Sequence, residues 1–170
     1  MAELEGSKTL ENLKEAFAGE SQANRKYLAF AQQADADGYP QAARLFRAAA
    51  AAETVHAHAH LRAMDGVGST KENLRAAIEG ETHEFKSMYP DMIRVAKEEG
   101  FRRAEESFDH ANEVEQIHAR LYQKALDNLD QGLEPVEYWV CPVCGNTFEG
   151  ERTEPCPICR TIAKRFFKVE

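Results

Sequence analysis

Cysteine is missing from the first 140 residues of this 170-residue chain. All four cysteines fall in the last 30 residues, so no disulfide can staple the molecule as a whole. Long apolar runs are missing too, and none approaches the ~20 residues of a bilayer-spanning helix. The opening Met1-Ala2-Glu3-Leu4-Glu5 has neither the basic nor the apolar region of a leader, which reads as a cytoplasmic protein. Positive charge is scarce: 21 Lys and Arg against 29 Asp and Glu leave a net charge of −8 and a pI near 5.3. That balance argues against nucleic acid and anionic membrane as main partners. No Gly-rich nucleotide-binding fingerprint is present, so the chain cannot oxidise NAD(P)H directly.

The remaining composition, 43% apolar and 29% charged, is that of a globular protein. The cysteines divide it into residues 1–134, read as a helical domain, and 135–170, read as a metal-binding domain. The first part has the periodicity of four helices. In the first helix, 8–36, Leu10, Leu13, Phe17, Glu20, Asn24 and Tyr27 share a face. It stops at Asp37-Gly38-Tyr39-Pro40. The second carries Ala42, Leu45, Phe46, Ala49, Glu53, His56 and His60 and ends at Asp65-Gly66-Val67-Gly68. The third opens with the capping box Ser69-Thr70-Lys71-Glu72 and runs to Gly100, kinked at Pro90. The fourth carries Ala104, Phe108, Ala111, Glu115, His118 and Tyr122 and ends at Gly132 to Pro135.

Each apolar stripe is interrupted by one glutamate: Glu20, Glu53, Glu81 and Glu115. A lone buried carboxylate costs several kcal/mol or takes up a proton. Four of them at one level require cations. The chain also repeats itself. Gly38, Phe46, Glu53, His56 and Ala57 recur 62 positions later as Gly100, Phe108, Glu115, His118 and Ala119. Gly19-Glu20 recurs 61 positions later as Gly80-Glu81. Two helical hairpins therefore share one plan, Gly-Glu followed by Glu-x-x-His. Residues i and i+3 share a helix face, so each Glu-x-x-His pair can serve one metal ion. Mixed oxygen and nitrogen ligation suits iron or manganese better than zinc. Glu84 breaks the repeat: it lies one turn beyond Glu81, where the first hairpin has Ala23. The remaining histidines, His58, His60, His83 and His110, read as surface groups or neighbours of the ligands.

Near the C-terminus, Cys141-Pro142-Val143-Cys144 and Cys156-Pro157-Ile158-Cys159 form two C-x-x-C knuckles, a tetrathiolate signal. A segment this short cannot bury a sufficient core, so metal must help to fold it. The spacing alone leaves iron and zinc both open.

Taken together, Ala16-Phe17-Ala18-Gly19-Glu20-Ser21, Glu53-Thr54-Val55-His56, Glu79-Gly80-Glu81-Thr82 with Glu84, Met88-Tyr89-Pro90, Glu115-Gln116-Ile117-His118 and the terminal cysteines strongly resemble rubrerythrins of the short, two-domain kind. The resemblance covers nearly the whole chain. It implies an all-α, ferritin-like four-helix bundle followed by a small rubredoxin-like domain. It also implies a non-haem di-iron peroxidase that reduces hydrogen peroxide to water in oxidative-stress defence. The iron ligands would be Glu20, Glu53, His56, Glu81, Glu84, Glu115 and His118, with Glu84 and His56 exchanging at one iron on reduction. Tyr27 and Tyr89 match tyrosines that hydrogen-bond ligand carboxylates. Cys141, Cys144, Cys156 and Cys159 would hold a third iron, with zinc as the alternative. Electrons would enter there from a separate rubredoxin or NAD(P)H-dependent reductase. A ferroxidase or iron-handling protein and a zinc-ribbon adaptor are the competing readings. The second knuckle ends in Arg160 where rubredoxins usually have glycine, which predicts a left-handed arginine.

Chain reach bears on assembly. In the ferritin-like arrangement the second and third helices run parallel, so their connection must travel the bundle's length. A helix of about 24 residues is ~36 Å long. Five linking residues, Asp65 to Ser69, reach ~17 Å. A simple up-down-up-down bundle would fit the linker but departs from the family's symmetry; the expectation is a homodimer in which the first hairpin of one chain packs with the second hairpin of the other.

Overall fold

The computed structural model describes residues 4–170; the first three residues, part of the opening read above for a leader, lie outside them. By packing, the chain divides after Gly68 into two units, and the cysteine domain belongs to the second. The expected domain boundary at 134/135 thus falls inside the second unit, beyond its last long helix.

The first unit is the hairpin of α1 (Lys8–Ala36) and α2 (Pro40–Ala63). Ser7 caps α1 by accepting from the Leu10 N–H at 3.1 Å. Gly38, at φ +81°, makes the turn, and Pro40 starts α2 where a missing N–H costs nothing. The seam is made of small residues: Ala31 and Ala34 on α1, and Ala43, Ala50 and Ala57 on α2, are buried. The seven-residue spacing of the α2 alanines keeps one narrow edge facing α1 and lets the backbones approach closely. Of the apolar stripe expected from the sequence, Leu45 is 69% exposed, while Phe46 meets the rings of Tyr27 and Phe30 of α1. Asn24 locks the register by donating to the Ala50 carbonyl at 2.7 Å and to Thr54 Oγ1 at 2.8 Å.

The second unit opens at the expected capping box, with Glu72 accepting from the Ser69 N–H at 2.7 Å. The expected single third helix is in fact three pieces. These are α3 (Thr70–His83), a π-helical turn (Glu84–Met88) and α4 (Tyr89–Glu99). Pro90 lacks an N–H and would press its ring on the carbonyl one turn back. The chain widens just before it, and the Tyr89 N–H reaches the Glu84 carbonyl. The break therefore precedes Pro90. Gly100, at φ +78°, ends α4, and α5 (Arg102–Asn128) packs back along α3 and α4.

The cysteine domain is a three-stranded antiparallel sheet, β1 (Tyr138–Val140), β2 (Thr147–Glu149) and β3 (Phe167–Lys168), with β1 central. Trp139 pairs with Phe148, and Val140 with Phe167. Cys141, Phe148, Cys156 and Phe166 are its buried core, with the Phe148 and Phe166 rings stacked 5.0 Å apart.

Candidate metal centres

The two knuckles share one backbone plan. The N–H of Gly145 bonds the Cys141 carbonyl at 2.9 Å, and that of Arg160 bonds the Cys156 carbonyl at 3.0 Å. Gly145 has φ +82° and Arg160 has φ +64°, so the arginine adopts the left-handed conformation expected of it. Cys141 Sγ lies 3.5 Å from Cys159 Sγ, and Cys144 Sγ 3.5 Å from Cys156 Sγ. A metal bound to sulfur at ~2.3 Å in a tetrahedron has edges of ~3.8 Å, so the four sulfurs fit one ion. Their protonation says the same. At Cys141 burial opposes ionisation, but the N–H groups of Cys144 and Val143, with the Cys159 and Cys144 thiols, hold it below the ordinary thiol range. Burial pushes Cys144 well up against the Asn146 N–H, and bonds to the other three thiols help to keep its proton in place. Such crowded thiols become four thiolates only when a cation shares their charge.

In the first unit α1 and α2 bring Glu20, Glu53 and His56 together. His56 Nδ1 lies 2.9 Å from Glu53 Oε2 and 3.9 Å from Glu20 Oε1. In the second unit α3 and α5 bring Glu81, Glu115 and His118 together. His118 Nδ1 lies 2.7 Å from Glu115 Oε2 and 3.8 Å from Glu81 Oε1. The two triads are copies of one another, each with the histidine Nδ1 aimed at both carboxylates. Acidic oxygens and one imidazole nitrogen within bonding range of a common point suit a divalent cation such as iron.

Charge crowding is visible in the second triad. Burial, then the charge and hydrogen bond of Glu115, then Glu84, push the Glu81 carboxyl up to about 7. Glu84 is raised by burial and by Glu115, so it belongs to the same acidic group. The Tyr89 phenol is raised by burial and then by the charges of Glu115, Glu84 and Glu81. Tyr27 lies 6.3 Å from the rings of both Phe30 and Phe46. Two neighbours were not singled out from the sequence. Tyr122 is raised by burial and then by Glu81 and Glu115; its place four residues beyond His118, on the same face, was the available signal. Thr147 Oγ1 lies 2.9 Å from His118 Nε2, a contact between β2 and α5 for which the sequence holds no local signal.

The rubrerythrin family profile matches residues 11–126. This chain belongs to the rubrerythrin family. It is 35% identical to rubrerythrin-2 of Clostridium acetobutylicum, over 96% of this chain and 97% of that protein. It is 41% identical to nigerythrin of Nitratidesulfovibrio vulgaris, over 89% of this chain and 81% of that protein. A solved structure of nigerythrin in a mixed-valence state covers 99% of this chain and 90% of its own at 37% identity, with a TM-score of 0.57. Another, of fully reduced, all-ferrous nigerythrin, covers 98% and 91%, with a TM-score of 0.58. The protein thus has the ferritin-like rubrerythrin fold with a rubredoxin-like four-cysteine cluster, in an iron-containing family of oxidoreductase character. No described helix is long and apolar enough to cross a membrane.

Proposed function

We propose that this rubrerythrin-family protein is a peroxidase that reduces hydrogen peroxide to water at a di-iron centre. The observation that carries the reading is the duplicated triad: Glu20, Glu53 and His56 match Glu81, Glu115 and His118 atom for atom. Glu84 adds a further carboxylate on the second side. A ferrous pair bound by these residues would supply two electrons and a Lewis-acidic surface for the peroxide oxygens. The chain's own residues manage the protons. Burial and three carboxylates keep the Tyr89 phenol protonated, so it can donate a hydrogen bond to an oxygen held beside Glu115. Glu81 changes its proton near neutrality in the absence of metal, and bound cations take that proton's place. Cys141, Cys144, Cys156 and Cys159 would hold the third iron of each chain and admit electrons singly from an external rubredoxin or reductase.

Anaerobic titration tests this reading. Reoxidation of the reduced protein by about one peroxide per di-iron site supports a peroxidase. Uptake of many irons per chain would mark a storage protein instead. Iron near three per chain with red thiolate bands supports the metal content.

We also propose that the working form is a homodimer with exchanged hairpins. Six residues, Met64 to Ser69, separate the end of α2 from the start of α3. The first of them are consumed in ending α2: Asp65 is left-handed at φ +53°, and the Gly66 N–H bonds the Leu61 carbonyl at 2.9 Å. What remains is far short of the ~36 Å length of a 24-residue helix. Subunits lacking Glu53 are mixed with subunits lacking Glu115 after denaturation. Exchange puts both lesions in one bundle and restores activity in the other; verified heterodimers without recovery would rule it out.

A further inference from the structure

The two histidines of the paired triads are held differently. His56 uses Nδ1 toward Glu53 and Glu20, and its side chain is 56% exposed. His118 is held from both ends: Nδ1 faces Glu115 and Glu81, while Nε2 meets Thr147 Oγ1 at 2.9 Å. Thr147 belongs to β2 of the cysteine domain, two residues beyond Gly145 and three beyond Cys144. Its hydroxyl lies 3.2 Å from the Gly145 carbonyl and can donate to it. A Cβ built on Gly145 would meet Val114 of α5 at 3.9 Å, so this knuckle rests on the helix that carries His118.

Hydrogen bookkeeping gives the contact a role. A neutral imidazole that offers the Nδ1 lone pair to a cation must carry its hydrogen on Nε2. That hydrogen needs an acceptor. A hydroxyl has one hydrogen and two lone pairs, so Thr147 can accept from Nε2 while giving its own hydrogen to Gly145. The result is a directed strap, His118 Nε2–H to Thr147 O–H to the Gly145 carbonyl, that ends one peptide from Cys144. His56 has no equivalent partner among the described residues.

We infer that Thr147 is a positioning residue that fixes the Nε2–H tautomer and ring orientation of His118, so that Nδ1 is presented as a metal ligand. Through it the first cysteine knuckle braces the second triad. The inference rests on the reading of Glu81, Glu115 and His118 as metal ligands. A residue that orients a ligand histidine in this way typically accounts for 10–100-fold in metal affinity.

The test uses the full chain with Thr147→Val and Thr147→Ser. Anaerobic Co2+ titration separates the thiolate site, by its charge-transfer bands, from the oxygen–nitrogen sites. The valine variant should fill the four-cysteine site normally but bind roughly 10–100-fold more weakly at the site containing His118, and serine should restore the affinity. In Zn2+-loaded wild-type protein, long-range 1H–15N spectra should show His118 protonated on Nε2, a measurement that stands even if the valine variant does not fold. Metal on Nε2, or unchanged affinity in a folded valine variant, would overturn the inference. Wild-type protein that binds Co2+ only at the cysteines would overturn the ligand reading as well, and so the two failures are told apart.

Discussion

Glu53–His56 and Glu115–His118 occupy equivalent turns of α2 and α5, and their Nδ1-to-carboxylate distances differ by no more than 0.2 Å, 2.9 against 2.7 and 3.9 against 3.8. The surroundings differ far more. The first triad has Ala23 where the second has Glu84, and an open His56 where the second has a braced His118. The second also gathers Tyr89 and Tyr122. The knuckles repeat the pattern, with one backbone plan and glycine in one against arginine in the other. In both cases the duplicated part carries the shared geometry, and the neighbours outside the repeat set the two copies apart.

The largest expected effect comes from breaking a triad outright. Glu115→Ala should lose bundle iron and reduce peroxide turnover by more than ~100-fold, while the thiolate spectrum persists. The remaining carboxylates are left with too few ligands to hold cations against their own repulsion. Two irons still bound in the bundle, with full turnover, would show that Glu115 is not a ligand.

Cys144→Ser comes next, because it should stop steady turnover yet leave a single one intact. Chemically reduced protein should still consume one equivalent of peroxide, whereas turnover with a rubredoxin-type donor should cease. Stopped-flow measurement with and without the donor separates the two. Normal steady turnover would mean that electrons bypass the cysteine domain.

A smaller effect sharpens the contrast between the triads through pH. Glu81 rises from an unfolded value near 4.5 to about 7 in the metal-free fold. A raised carboxyl stabilises the fold when protonated, so its contribution is complete below ~4.5 and is lost as pH climbs through ~7. Metal-free protein should therefore lose stability in denaturant melts between those values. Loading with divalent metal near pH 6 should release protons, because the cation displaces the one on Glu81. No proton release on loading at that pH would contradict the crowding.

How far these features were legible follows from which contacts are local. The clustering of glutamates and histidines into two triads could be read because i, i+3 spacing and a 62-residue repeat are properties of the chain alone. The left-handed Arg160 was legible because the two knuckles align residue for residue. The π-helical turn was half legible: Pro90 announced a disruption, but the chain resolves it one turn earlier. The alanine seam of α2, Ala43, Ala50 and Ala57, is hidden in the sequence because larger residues at neighbouring positions give a stronger apolar stripe. Thr147 was not legible at all, since 29 residues and a change of domain separate it from His118.

The smallest expected effect tests the knuckle comparison. A non-glycine residue in the left-handed region costs about 1 kcal/mol, so Arg160→Gly removes a strain that Gly145 never carried. Glycine also widens the unfolded ensemble, which returns ~0.5–1 kcal/mol of the gain. The net change should lie between nothing and about 0.5 kcal/mol of stabilisation. The reverse change carries the opposite sign. Gly145→Ala imposes the strain, recovers ~0.5–1 kcal/mol from a narrower unfolded ensemble, and should cost between nothing and about 0.5 kcal/mol. Steric clash adds little, because the nearest side-chain atom would be Val114 at an ordinary 3.9 Å. Thermal loss of the thiolate absorption band in the iron-loaded protein reports both variants. If Gly145→Ala stabilises the domain and Arg160→Gly destabilises it, then the metal, and not backbone preference, sets the conformation of both knuckles.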